Sequence, residues 1–322
     1  MRKRANTGLG FCGAIGLIRS NGVIAGLPNG MKKNDKINAY RGSLVIPGGR
    51  VGVLLVHSLG GNPVELRFVA QGLARAGYTV YCPLLPGLGG GTDSLGLSSW
   101  QDWYAALEQA HDELRAHCDV VIAGGISAGS MLALRLARER ADQVDGLILF
   151  APTLWPNGWS IPRHFVFFKL VYHKWVAKLM HLRQRAPFGI KDERIRNFVI
   201  ESFKSEDRPI EDLFGRGGGL VWEFNHLVRE VRRRLGEIKQ PTTIIHPRED
   251  DQSDIKNAFT LQRKLGGMVE MTVLEDSYHM VTLDRQRSVV VDRTVDFAQR
   301  LTARIEEKAA VARLIKGKGL AE

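Results

Sequence analysis

The stretch Gly124-Gly125-Ile126-Ser127-Ala128-Gly129-Ser130 decides how the rest of the chain is interpreted. Residues 119–123 before it, Asp-Val-Val-Ile-Ala, predict a short buried strand, and residues 130–140 after it predict a helix. A serine at such a strand-to-helix turn needs flanking glycines, because a Cβ at either position would collide with a neighbouring element. The pattern Gly125-x-Ser127-x-Gly129 therefore predicts a nucleophile elbow that exposes the Ser127 hydroxyl at the top of a sheet. The alternative is an ordinary glycine-rich turn.

Composition limits the class of protein. The chain has 322 residues, of which 44% are apolar and 25% charged, enough for one large α/β domain with an insertion or for two modest domains. The three cysteines, Cys12, Cys82 and Cys118, are odd in number and lack the spacing of metal ligands. They predict neither a disulfide framework nor a metal site and indicate a reducing compartment, so we expect a cytoplasmic protein.

The net charge of +11 is unevenly distributed. Residues 1–36 carry seven Lys and Arg against one Asp, residues 152–218 carry twelve against seven acids, and residues 304–322 carry five against three. Positive charge in these regions suits an anionic membrane surface or an acidic ligand better than a nucleic-acid groove, and simple solubility is the alternative. We therefore expect no nucleic-acid partner and keep peripheral membrane contact as an option.

Residues 1–41 predict a basic, glycine-rich N-terminal tail. Met1-Arg2-Lys3-Arg4 and the apolar residues 8–18 resemble the start of a signal peptide, but Arg19 interrupts the run and no convincing cleavage site follows. The run is also too short to cross a bilayer. We expect a disordered or surface-lying tail, with a signal peptide and a membrane-touching anchor as the alternatives.

Strand and helix patterns alternate along most of the chain. Strands are predicted at residues 43–46, 51–57, 78–82, 119–123, 145–151, 242–246 and 269–274, and helices at 63–76, 99–117, 130–140, 221–235, 254–265 and 285–305. This order predicts an α/β fold with a doubly wound, mostly parallel sheet formed by residues 42–151 and 220–303. Residues 152–219 are expected to be a helical insertion, and residues 304–322 a C-terminal helical tail.

Two further residues are candidates to work with Ser127. A serine hydroxyl is a poor nucleophile until an imidazole takes its proton, and His279 follows the last predicted strand in a loop that can reach back over the sheet edge. The imidazole needs a carboxylate to orient it, and the turn after strand 242–246 offers several. Asp250 is favoured, with Asp251 as the alternative. The remaining acids of that turn are expected to be solvated or to cap the next helix.

The negative oxygen that develops during acyl transfer needs two backbone N–H donors. One is expected from the residue after the nucleophile, Ala128, and the other from the loop after the early strand. We assign the second to Leu59, in the turn His57-Ser58-Leu59-Gly60-Gly61. His57 is expected to brace that turn through a hydrogen bond.

Four motifs follow one another along the chain: His57-x-x-Gly60-Gly61, Gly125-x-Ser127-x-Gly129, Asp250 and Ser277-x-His279. In this order they resemble the α/β-hydrolase superfamily, and within it the bacterial carboxylesterases and monoacylglycerol lipases, over residues 42–303. The resemblance implies an α/β-hydrolase fold, a small-molecule ester substrate, acyl transfer to water through an acyl-serine, and no cofactor.

The predicted insertion is rich in aromatic and basic residues. Phe165, Phe168, Tyr172, Trp175 and Leu179 recur at helical spacing, while the other side carries Lys169, His173, Lys174 and Lys178. Such a stripe is more often packed against a domain than bound to lipid. In the family this position is the lid over the acyl pocket, so the resemblance implies a basic, amphipathic lid and an apolar acyl chain. Phe168, Tyr172 and Trp175 are the candidate substrate-binding residues.

Three functions fit the sequence. The first is a serine esterase or lipase-like hydrolase. The second is an acyltransferase or thioesterase that uses the same three side chains. The third is a catalytically silent relative that binds a lipid or a protein, against which the complete set of Ser, Asp and His argues.

Overall fold

The computed structural model describes residues 42–88, 98–182, 185–203 and 216–318. The predicted N-terminal tail at residues 1–41 lies outside these ranges. Within them, every helix is too short or too polar to span a membrane.

A seven-stranded sheet forms the centre of the fold, with the strand order β1-β3-β2-β4-β5-β8-β9. Its strands are β1 (Leu44–Ile46), β2 (Val51–Val56), β3 (Thr79–Cys82), β4 (Val120–Ile126), β5 (Gly146–Phe150), β8 (Thr242–Pro247) and β9 (Val269–Leu274). Only the β1 and β3 pairing is antiparallel; all other neighbours in this sheet are parallel. The prediction of a doubly wound, mostly parallel sheet is confirmed.

Helices cover both faces of the sheet. They are α1 (Arg67–Arg75), α2 (Trp100–Arg115), α3 (Ala128–Glu139), α4 (Lys174–Lys178), α5 (Glu193–Phe203), α6 (Gly218–Arg233), α7 (Lys256–Lys264) and α8 (Arg287–Lys318). One buried cluster joins α2, α3, α6 and α7 to the sheet, and a second joins α1 and α8 to its other face. Strand β2 alternates between them: Leu54 and Val56 lie in the first, and Val53 and Leu55 in the second. Burial on both faces explains why this strand is a continuous apolar run.

Two helix starts illustrate how short sequence signals act. Ser99 and Asp102 form a reciprocal cap at the start of α2, in which each side chain accepts from the other residue's backbone amide. Asn62 caps a 3-10 turn, Pro63–Leu66, and α1 begins only at Arg67. The Glu65 carboxylate does not close that cap; it accepts hydrogen bonds from the amide and the hydroxyl of Ser58, both at 3.0 Å.

The insertion differs from the single amphipathic helix that its spacing suggested. The structure has a 3-10 helix, Arg163–Leu170, followed by extended backbone at Val171 and His173 and then the five-residue α4. The segment 163–173 is dense in aromatic and β-branched residues, which lose side-chain freedom in an α-helix. Strands β6 (His181–Leu182) and β7 (Arg216–Gly217), which lie between β5 and β8 in the sequence, form a separate antiparallel pair.

Helix α8 joins the predicted last helix to the C-terminal tail, which was also expected to be helical. It continues without interruption through residue 304, where the C-terminal tail was expected to begin, and reaches Lys318. Its first half contributes Phe297 and Leu301 to the core, whereas residues 310–315 are exposed.

Candidate active site

Ser127 lies between β4 and α3 in a strained turn. Strand β4 extends to Ile126, three residues further than predicted, and α3 begins at Ala128. The backbone of Ser127 has φ 56° and ψ −114°. A positive φ is uncommon for any residue other than glycine. The turn therefore has the geometry expected of an elbow that directs a serine hydroxyl out of the strand.

The two flanking glycines are required by close approach of the backbone. A Cβ on Gly125 would lie 2.5 Å from the carbonyl oxygen of Val56, and a Cβ on Gly129 would lie 2.2 Å from the same oxygen. Both distances are far shorter than any contact that a methyl group tolerates. The steric reason that the sequence suggested is therefore confirmed, and the carbonyl belongs to the neighbouring strand β2.

The hydroxyl of Ser127 is largely buried, and it has a partner that the sequence did not indicate. Ser127 Oγ lies 3.2 Å from Oγ1 of Thr153, which follows the end of β5. The Ser127 amide donates to the Phe150 carbonyl at 2.9 Å, which ties the elbow to β5. The only available signal for Thr153 was its place just beyond a central parallel strand, where ligand sites concentrate.

The structure brings His279 and Asp250 together. His279 Nδ1 lies 2.9 Å from Oδ2 and 3.0 Å from Oδ1 of Asp250. Both side chains are buried, and they follow the carboxyl ends of β9 and β8 respectively. Ser127 follows the carboxyl end of β4, so all three side chains belong to the same edge of the sheet.

The Asp250 carboxylate is surrounded by donors. Its Oδ1 accepts hydrogen bonds from the amides of Gln252 and Ser253, each at 2.8 Å. Burial by itself raises the pKa of Asp250, but its contacts with His279 and His246 and the Ser253 amide outweigh burial, so the pKa is lowered. Asp250 is therefore ionised and suited to stabilise a positively charged imidazole.

His246, which the sequence analysis did not select, lies beside Asp250. Its Nε2 is 2.8 Å from the Ser253 carbonyl and 3.3 Å from Asp250 Oδ2. Burial lowers the pKa of His246, which keeps the ring neutral with the proton on Nε2. Its position as an apolar-flanked residue inside strand β8 gave the sequence no reason to separate it from the core.

Asp251, the alternative candidate for the acid, bonds the backbone of His279, whereas Asp250 is the carboxylate paired with the imidazole. The Asp251 side chain is fully buried, with Oδ2 accepting from the Gly189 amide at 2.9 Å and Oδ1 from the His279 amide at 3.3 Å. Burial, together with the charge of Asp250, raises the pKa of Asp251 to about 6. The burial of Asp251 follows from the path of the insertion, because Gly189 covers this part of the turn.

The turn after β2 is held by hydrogen bonds at both ring nitrogens of His57. His57 Nδ1 lies 2.9 Å from the Ser58 carbonyl, and the Leu85 amide donates to His57 Nε2 at 3.2 Å. Burial lowers the pKa of His57, so the ring is neutral and both nitrogens are used in bracing. The expectation that His57 supports this turn is confirmed. Among the described residues, none accepts a hydrogen bond from the amide of Leu59 or of Ala128.

The three candidate substrate-binding side chains do not form one buried face. Phe168 is buried; its ring stacks on Phe165 with centroids 5.5 Å apart and packs near Ala177. Tyr172 and Trp175, beyond the break after the 3-10 helix, are 73% and 67% exposed.

Comparison with known proteins identifies the class. A family model described as serine aminopeptidase, S33, matches residues 50–286, about three quarters of the chain. The chain belongs to this family. It is an α/β-hydrolase of the carboxylesterase and monoacylglycerol lipase-like type.

Three relatives show the extent of the similarity. A thermostable monoacylglycerol lipase of Bacillus sp. (strain H-257) is 26% identical over 252 residues, 77% of this chain and 90% of its own length. A carboxylesterase of Bacillus subtilis (strain 168) is 23% identical over 257 residues, 79% and 94% of the two chains. A solved structure from work on the metagenome-derived lipolytic enzymes LipS and LipT is 25% identical, with a TM-score of 0.67 over 81% of this chain and 99% of that chain.

Proposed function

We propose that this carboxylic ester hydrolase forms an acyl-enzyme on Ser127 and prefers esters with an apolar acyl chain. One observation carries the assignment of the residues. A serine in a left-handed elbow and a buried histidine paired with an ionised aspartate follow the carboxyl ends of strands in one parallel sheet. That arrangement is the one that activates a hydroxyl for attack on a carbonyl carbon.

The proposed reaction has two halves. The Ser127 oxygen attacks the ester carbonyl while His279 takes its proton through Nε2, and the imidazolium then protonates the leaving alcohol as the carbon to oxygen bond breaks. Water, deprotonated by the same imidazole, attacks the acyl-serine and releases the carboxylic acid. Asp250 holds Nδ1 of His279 at 2.9 Å, which fixes the tautomer and stabilises the positive charge.

The amides of Leu59 and Ala128 are the proposed donors to the tetrahedral oxyanion. Two features support this role. Neither amide is bonded to another described residue, and the Glu65 carboxylate holds the Ser58 amide and hydroxyl next to Leu59. A braced turn of this kind keeps a donor in place without reorganisation during the reaction.

The insertion is the proposed source of acyl-chain preference. Phe168 offers a buried aromatic surface, and the similarity to a monoacylglycerol lipase favours an apolar acyl group. Tyr172 and Trp175, which are exposed, are proposed to meet the acyl chain as it arrives from a lipid interface.

The outer side of the insertion is the proposed membrane-contacting surface. Large exposed apolar side chains are concentrated in it: Trp159, Val166, Phe167, Leu170, Tyr172, Trp175, Leu179, Met180 and Phe198. Arg163 and Lys178 are exposed in the same segment of the chain, whereas Lys174 is ion-paired with the buried Glu223. Exposed aromatic groups beside cations suit an anionic lipid interface.

Liposome flotation tests this surface. Trp175→Ala and Lys178→Gln should each reduce binding to vesicles that contain phosphatidylserine, the lysine by about 1 kcal/mol at low salt. Arg75→Gln, which removes an exposed charge outside the insertion, is the matched control and should have no such effect. Equal binding by the parent and the three variants would show that the insertion does not contact the membrane.

A fluorophosphonate probe tests the nucleophile. The parent protein should be labelled on Ser127, and Ser127→Ala should not be labelled. A series of p-nitrophenyl esters from acetate to decanoate should then show catalytic efficiency that rises with acyl length. Labelling elsewhere would exclude Ser127 as the nucleophile, and a thioester or an alcohol acceptor used in preference to an ester and water would favour the thioesterase or acyltransferase alternative.

A further inference from the structure

The insertion is hydrogen-bonded directly to the loop that carries His279. The Gly189 amide donates to Asp251 Oδ2 at 2.9 Å, and the Gly189 carbonyl accepts from the Met280 amide at 2.8 Å. A single residue of the insertion is thus bonded both to the acid turn and to the residue after His279.

Asp251 completes the connection with its other oxygen. Asp251 Oδ1 accepts from the His279 amide at 3.3 Å, and the side chain has no exposure to solvent. Each oxygen of the carboxylate therefore serves a different segment, one in the insertion and one at the histidine. Breaking either bond would leave a buried amide or oxygen without its partner, which is costly.

A second buried carboxylate spans the same two segments. Asp284 Oδ2 accepts from the amides of Lys191 and Tyr278, at 2.9 and 2.7 Å, and its Oδ1 accepts from the Asp192 amide at 2.9 Å. The carboxylates of Asp251 and Asp284 therefore hold residues 189–192 against His279 and Tyr278, and the Gly189 carbonyl adds the bond to Met280.

Gly189 also fills its site completely. Its φ is +81°, and a Cβ there would lie 3.3 Å from the Cβ of His279 and 2.8 Å from Cγ of Met280. A larger residue at position 189 would therefore press on the side chain of Met280 and on the Cβ that carries the imidazole.

We propose that Asp251 and Gly189 are positioning residues that hold His279 from the insertion, so that the insertion controls the chemical step as well as access of the acyl chain. The inference rests on the proposed role of His279 as the base. A displacement of an ångström at a catalytic group can lower a rate by about a hundredfold, so a small shift of this backbone suffices. Such an effect acts on kcat and is independent of acyl length, unlike an effect on the acyl pocket.

Kinetics of matched variants test the proposal. Asp251→Asn and Gly189→Ala should each lower kcat by about tenfold or more, by the same factor for p-nitrophenyl acetate and decanoate, with little change in KM. Asp254→Asn is the control for the first, because the only described donor to the Asp254 carboxylate is the Lys256 amide at the start of α7, away from His279. Gly77→Ala is the control for the second, because Gly77 has a similar φ of +93° but open space around it. Unchanged kcat in both folded variants, or losses that grow with acyl length, would overturn the proposal.

Hydrogen exchange decides the same question without any substrate. In Asp251→Asn, amides of residues 188–192 and 277–281 should lose protection together, while Asp254→Asn should leave both segments protected. If the segments exchange independently, the connection does not exist. If they exchange together but the parent protein hydrolyses no ester, the structural connection stands and the proposed function fails.

Discussion

Ser127 combines a strained backbone with a buried hydroxyl, and the strain persists because the surrounding strands impose it. The carbonyl of Val56 leaves no room for a side chain on either flanking glycine, and the Ser127 amide is bonded to Phe150. Backbone strain of this kind costs about 1–3 kcal/mol and is retained mainly at functional sites. A positive φ distinguishes Ser127 from the other serines that the structure describes.

Replacement of the nucleophile and the base should give equal losses. Ser127→Ala and His279→Ala should each abolish most ester hydrolysis, and the double variant should be hardly worse, because the two groups act as one unit. Single-turnover assays of the three variants provide the measurement. Additive losses in the double variant would show that the residues act separately.

Asp251 should give the protein a distinctive dependence of stability on pH. The pKa of Asp251 is raised to about 6 by burial and by the charge of Asp250. The charge of His279 and the hydrogen bonds from the Gly189 and His279 amides lower it by less. A raised pKa means that the folded state holds the proton more tightly, so this stabilisation is present at low pH and is lost as pH rises through about 6.

Urea unfolding of the parent and of Asp251→Asn measures this contribution. Relative to Asp251→Asn, the parent should lose about 1 kcal/mol of unfolding free energy between about pH 5 and about pH 7.5. Other carboxylates titrate equally in both proteins and cancel. A difference that is constant with pH would mean that Asp251 is already ionised throughout this range.

At the scale of elements, the insertion has two separate parts with different surroundings. The 3-10 helix Arg163–Leu170 buries Phe168, and the short α4 leaves Trp175 exposed. A continuous helix would have placed both rings on one face. The break therefore separates a buried aromatic group from an exposed one, and their contributions can be tested separately.

Phe168→Leu should change selectivity for acyl length. If this ring contacts the acyl chain, the KM for decanoate esters should rise while the KM for acetate stays the same, since each methylene contact is worth about 0.8 kcal/mol. Val166→Ala, in the same 3-10 helix but half exposed, is the control. Equal changes in KM for both esters would show that Phe168 only packs within the insertion and does not contact the acyl chain.

Helix α8 should be divisible into a structural half and a dispensable half. Removal of residues 308–322 should shift the melting temperature by no more than about 2 °C and leave ester hydrolysis unchanged, because the described residues 310–315 make no buried contribution. Phe297→Ala, in the buried half, should instead cost about 3–5 kcal/mol. A large loss on truncation would show that the exposed turns contribute to folding.

At the scale of the whole molecule, the sheet order assembles the site. Leu59, Ser127, Thr153, Asp250 and His279 follow β2, β4, β5, β8 and β9, which are consecutive neighbours in the sheet. Parallel strands present all their carboxyl ends at one edge, so residues more than 200 positions apart in sequence become neighbours. The insertion enters between β5 and β8 and reaches the same edge through Gly189.

Local patterns in the sequence were sufficient for the sheet and for the predicted site candidates. Burial on both faces makes β2 and β4 continuous apolar runs, and the spacing Gly125-x-Ser127-x-Gly129 reflects steric limits set within a few residues. The position of each polar candidate directly after a predicted strand was likewise visible in the chain order. These properties depend on neighbours along the chain, so the sequence alone determined them.

Only the tertiary structure decided the contacts that cross between elements. The bond of Asp251 to Gly189, the contact of Ser127 with Thr153 and the buried position of His246 all join segments whose proximity depends on strand order and on the path of the insertion. The break in the insertion helix was also undetermined, because its aromatic spacing fits both one helix and two short ones. A polar residue in a turn carries no local mark of what will cover it, and only the structure separates the buried Asp251 from the exposed Glu249 of the same turn.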